Sequence, residues 1–79
     1  MDNLQKYLEV FTRLFEIDEE TAKSLKYQDI ELWDSVGHMG LINELEEVFG
    51  IEMDADDIID LESFEKGKEL LASHYGIEF

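Results

Sequence analysis

The sequence predicts an all-α fold: a small four-helix bundle with three longer helices, one short helix and a long first loop. Three observations carry that expectation. Apolar residues recur at helical spacing, polar caps and glycines fall where helices would begin and end, and no segment shows convincing strand alternation. The 79 residues are expected to form a single domain spanning 1–79. Hydrophobic residues at 44% and aromatics at 11% suffice for a core and exceed what a disordered acidic tail carries.

Leu4, Tyr7, Leu8, Phe11, Leu14 and Phe15 fall on one face of an amphipathic helix over about residues 3–15. Residues 16–34 lose the period. Their scattered apolar groups (Ile17, Leu25, Tyr27, Ile30, Leu32, Trp33) read as a long loop packed on the body. A loop of that length is either functional or hides a helical turn. Asp34 or Ser35 can cap a second helix running to Phe49, which Gly50 ends. Asp54 is placed to cap a short third helix through about Ile59. Ser63 is placed to cap a fourth from Phe64 to Tyr75, followed by Gly76.

Twenty-one acids against six bases give a formal charge of −15. The chain from Tyr27 to Glu65 holds thirteen of those acids and no Lys or Arg. Phosphate contacts need Lys and Arg, so nucleic acid and anionic membranes are disfavoured partners. A field this one-sided keeps a protein soluble and also speeds its meeting with basic partners. Without cysteine there is no disulfide, thiolate nucleophile or cysteine-ligated zinc. No apolar run approaches a membrane span, and the N-terminus has no basic segment leading an apolar one. A cytoplasmic monomer is expected.

The second helix carries the functional signal. At about 100° per residue, Leu41, Ile42, Leu45, Val48 and Phe49 gather on one stripe, and His38 turns toward it. Val36 and Met39 fall off the stripe and are expected to face solvent. An exposed apolar pair rimmed by Asp34, Glu46 and Glu47 has the composition of a docking patch. Ser35 opens this helix. A cap is the plain role for a serine there. As a hydrolase nucleophile it lacks a G-x-S-x-G elbow. As a site of covalent modification it is well placed, because a phosphodiester on it would meet free backbone N–H groups and the positive end of the helix dipole. Asp54, Asp56, Asp60, Glu62 and Glu65 partly fit an EF-hand loop, but Ile59 stands where the loop turns on glycine, so no metal site is expected.

Around these residues the chain resembles the acyl carrier proteins and the related peptidyl carrier domains. The resemblance lies in Asp34-Ser35-Val36, then Met39, Leu41, Ile42, Leu45-Glu46-Glu47, Phe49, Ile51 and Met53, followed by a short acidic helix and a final helix. It departs from the carriers of fatty acid synthesis at Val36 (usually leucine), at Gly37 and Gly40 (usually acids), at Asn43 (often apolar) and at Trp33, where those carriers have a glycine-rich approach. The two glycines are expected to soften the helix start, at about 1 kcal/mol each against alanine.

The resemblance implies that Ser35 carries a covalent 4′-phosphopantetheine arm drawn from coenzyme A, with Asp34 the acid beside it. Val36, Met39, Glu46 and Glu47 would then be partner-recognition residues. The arm's thiol would hold acyl or aminoacyl groups as thioesters for fatty acid, polyketide or other specialised biosynthesis. The implied partners are a phosphopantetheinyl transferase, an acyl-loading ligase, and acyl-transferring or condensing enzymes with basic docking patches. Such a protein is not itself an enzyme. The rival expectation is an acidic interaction module: a nucleic-acid mimic or a weak divalent-cation binder.

Overall fold

Capping and burial, element by element, decide where helix forms in this chain. The computed structural model describes residues 2–79. In it α1 spans Asn3–Phe15, α2 Glu19–Lys23, α3 Ser35–Phe49, α4 Ala55–Asp60 and α5 Phe64–Tyr75. The fold is all-α. Among the described residues no strand forms; the sole β feature is an antiparallel bridge between Lys26 and Ser63.

The expected count of four helices is corrected to five, because the first loop contains α2. Asp18 caps it, its carboxylate accepting the Thr21 N–H at 2.8 Å. Thr21, through its side chain first and its backbone N–H second, holds the Asp18 carboxyl below its usual range. Glu19 and Glu20 suit the positive end of the turn, and Ala22 is buried beneath it. Five residues are too few to show a period, so the sequence pattern conceals this helix.

The other elements follow their sequence signals closely. Asp2 caps α1 by accepting the Gln5 N–H at 2.8 Å, and the helix buries Tyr7, Leu8, Val10, Phe11 and Phe15. Ser63 caps α5 by accepting the Lys66 N–H at 3.0 Å. Gly50 closes α3 in the left-handed region at φ 63°, where a residue without Cβ is least strained. Asp54 occupies the cap position of α4, but its side chain makes no capping bond.

The core is an aromatic file along α1. The Tyr7 ring lies 4.8 Å from Phe64 and 5.0 Å from Phe11, while Trp33 lies 5.6 Å from Phe11 and 5.4 Å from Phe15. Pairs at such distances add about 0.5–1.5 kcal/mol beyond their burial. The Tyr7 hydroxyl donates to the Phe64 carbonyl at 2.7 Å. Burial, with Glu65 nearby, pushes its phenol well above the usual tyrosine range. Leu41, Ile42 and Leu45 bring α3 onto this core, and Leu70 and Leu71 bring α5.

The loop between α2 and α3 is anchored by its own residues. Leu25 and Trp33 are buried, and Ile17 and Ile30 pack against the core. The Tyr27 N–H donates to the Glu62 carbonyl at 2.7 Å, and the Phe64 N–H to the Leu25 carbonyl at 2.9 Å. These two bonds tie the start of the acidic stretch to its end.

Candidate functional site

The site is the start of α3. Asp34 adopts extended backbone, and its Oδ1 accepts the Gly37 N–H at 2.8 Å. Asp34 is therefore the cap, and Ser35 is freed from that task. Ser35 is exposed, and its hydroxyl has no hydrogen-bond partner among the described residues. An exposed hydroxyl at a helix N-terminus meets the chemical requirement for modification by another protein: access, free N–H groups nearby and a favourable dipole.

Gly37 fixes the chain ahead of Ser35. A Cβ at this position would overlap the Leu32 carbonyl oxygen. The glycine that was expected to soften the helix start is thus a point of close contact. Gly40 differs, since a Cβ there would meet only Leu14 Cδ1 at 3.9 Å.

Trp33, immediately before Asp34, is fully buried. Its indole Nε1–H donates to His38 Nδ1 at 3.0 Å, and His38 Nε2 lies 2.6 Å from the Ile58 carbonyl oxygen. His38 turns inward, as its helical angle predicts. It joins the segment before α3 to α4.

The expected exposure of the apolar pair agrees with the structure: Val36 is 79% exposed and Met39 48%. Leu32 and Ile59 are also exposed, without a helical signal to mark them. Leu32, in the loop, is 49% exposed, and Ile59, on α4, is 74% exposed. A cavity of about 220 Å³ lies between α3 and α4, lined by Tyr27, His38, Ile58, Ile59, Leu61 and Glu62. It begins one helical turn beyond Ser35. A wider cavity of about 510 Å³ shares Tyr27 and Glu62 with it and brings together Lys26 and Lys66, the two bases that bracket the acidic stretch.

The acids divide into free and committed groups. Glu47 is exposed. Glu46 is half-buried, and its Oε2 accepts the Met53 N–H at 2.9 Å. Glu44 pairs with Arg13 at 3.1 Å. Asp57 is buried between α4 and α5, where it accepts the Tyr75 hydroxyl at 2.6 Å and faces His74 Nδ1 at 2.8 Å. The Tyr75 hydrogen bond, with that of His74 and its charge, holds the Asp57 carboxyl below its usual range against the opposing effect of desolvation. Desolvation and the same carboxylate push the Tyr75 phenol up. This cluster had no sequence signal, because its members lie 17 and 18 residues apart. Among the described residues, no group of three or more His, Cys, Asp or Glu side chains converges to hold a metal ion.

Among the described residues, no helix is long and apolar enough to cross a membrane. No protein-family model, curated protein or solved structure matches the chain.

Proposed function

We propose that this chain is a carrier protein of the acyl or peptidyl carrier kind, which holds its cargo as a thioester on a 4′-phosphopantetheine arm attached to Ser35. One observation supports this reading above the others: Ser35 stands exposed at the first position of α3 with its hydroxyl free, because Asp34 performs the capping. In the attachment reaction the Ser35 oxygen would take the phosphopantetheinyl group from coenzyme A. A P–O bond forms to serine, the bond to the nucleotide phosphate breaks, and the hydroxyl proton passes to a base of the transferase. The arm's thiol then supplies the thioester chemistry.

This chain's own residues supply attachment and recognition. The phosphodiester would sit beside the open N–H groups of the first turn, while the Asp34 carboxylate is drawn onto the Gly37 N–H. Val36 and Met39 form the apolar centre of a docking surface, Glu47 lies on its acidic rim, and Glu46 fixes the turn that follows α3. The partners proposed are a phosphopantetheinyl transferase, an acyl-loading ligase, and acyl-transferring or condensing enzymes that present basic patches.

Intact-mass spectrometry after incubation with coenzyme A and a broad-specificity phosphopantetheinyl transferase tests the reading. The expected result is one added phosphopantetheine group on the wild-type chain and none on Ser35→Ala, whose circular dichroism stays helical because Asp34 still caps α3. Modification persisting in Ser35→Ala would move the site to another serine. An unmodified wild-type chain would favour the acidic interaction module that the charge of residues 27–65 also suits.

A further inference from the structure

We infer that His38 is a pH-responsive positioning residue, whose protonation releases Trp33 and with it the segment that presents Ser35. The inference stands on hydrogen-bond chemistry. An indole N–H only donates, so the bond from Trp33 Nε1 to His38 Nδ1 requires that Nδ1 carry a lone pair. The Ile58 carbonyl only accepts, so His38 Nε2 must carry the hydrogen it donates there. Both bonds coexist only in the neutral Nε2–H tautomer. Adding a proton to Nδ1 turns the acceptor into a second donor, aimed at the indole N–H. The bond to Ile58 survives protonation, and the bond to Trp33 does not.

Trp33 is fully buried and has no other hydrogen-bond partner for its N–H among the described residues. Losing His38 as acceptor therefore strands a buried donor. The strain falls beside the site. Trp33 is covalently next to Asp34, and the preceding Leu32 carbonyl rests where Gly37 lacks a Cβ. From the adjoining elements, the Tyr27 ring lies 5.6 Å from the imidazole, and Glu62 lines the same cavity. No Lys or Arg lines that cavity to oppose a proton. Asp34, on the same helix start, is committed to the Gly37 N–H. The tautomer and the release of Trp33 do not depend on what Ser35 carries; only the consequence for attachment rests on the carrier reading.

Nuclear magnetic resonance of the full ¹⁵N-labelled chain between about pH 8 and 5, the range in which imidazoles titrate, tests this. Above that titration, the ring nitrogen shifts should identify the Nε2–H tautomer of His38. On acidification the single indole N–H resonance should move in step with the His38 ring. Its exchange protection, corrected for intrinsic rate, should fall on the order of tenfold. In His38→Gln, whose amide can accept from the indole and donate to Ile58 without titrating, the indole resonance should stay fixed. His74→Gln should leave the wild-type behaviour intact. An Nδ1–H tautomer at high pH, or an indole resonance that ignores the His38 titration, would overturn the inference. The tautomer measurement needs only the wild-type chain, so it decides the matter even if His38→Gln does not fold. A chain that takes no arm from coenzyme A yet shows this coupled titration would refute the carrier reading alone.

Discussion

The two glycines of α3 have the same helix propensity and opposite structural roles. Gly37→Ala would drive a methyl group into the Leu32 carbonyl oxygen, so it is expected to destabilise by about 1–3 kcal/mol, as overpacking does. Gly40→Ala meets only ordinary van der Waals contact and should stabilise by about 0.5–1 kcal/mol through backbone entropy. Urea unfolding of the two variants checks the signs, and two stabilising alanines would show that Leu32 does not hold this position. At this scale the sequence is legible only in part. The exposure of Val36 and Met39 followed from helical angle, and the cap had two candidates in Asp34 and Ser35. The link from Trp33 through His38 to Ile58 was not legible, because it depends on where α4 packs, 20 residues further along.

Whole elements were legible where they were long and punctuated. For α1, α3 and α5 the helix bounds match their sequence signals, since caps and apolar spacing agree. At five residues, α2 lacks a period, and its Asp18 cap was the signal that remained. On α3, folding and docking can be separated by two substitutions on one helix. Leu45 is fully buried and Met39 about half exposed. Leu45→Ala should cost about 2–5 kcal/mol and leave transferase turnover near normal while folded. Met39→Gln should cost no more than about 1 kcal/mol and slow that turnover. The reverse ranking would move Met39 into the core.

The junction of α4 with α5 should set the acid limit of the fold. Asp57 is held below its usual range mainly by the Tyr75 hydroxyl. A carboxyl lowered in the folded state contributes stability above its unfolded pKa of about 3.9, and that contribution fades as pH falls through the lower folded value. Tyr75→Phe returns Asp57 toward its ordinary range. Its stability should therefore lie below wild type at pH 7, and the gap should narrow near pH 3. Urea midpoints at the two pH values measure this, and a constant gap would assign the effect to packing and to the Asp54 N–H, which the same hydroxyl accepts at 2.9 Å.

For the whole molecule, −15 on 79 residues is a self-repelling load, and few ion pairs offset it. Lys68 meets Glu65 at 3.7 Å, and Arg13 meets Glu44. The melting temperature should rise with added salt or millimolar Mg²⁺, because screening acts most on exposed charge. A value insensitive to ionic strength would show that the acids are compensated locally. Mild acidification reduces the same repulsion, and the release of Trp33 inferred above would oppose that gain. His38→Gln separates the two by removing the second.

The bonds that join Tyr27 to Glu62 and Leu25 to Phe64 also close the acidic stretch into a loop of chain. Residues 27–65 carry −13, while the rest of the chain holds eight acids against six bases, a net −2. A segment this one-sided in charge is drawn toward a basic surface before contact is made. Ser35, Val36 and Met39 belong to that stretch. On the carrier reading proposed above, that attraction would favour approaches that bring the stretch containing Ser35 toward a basic partner.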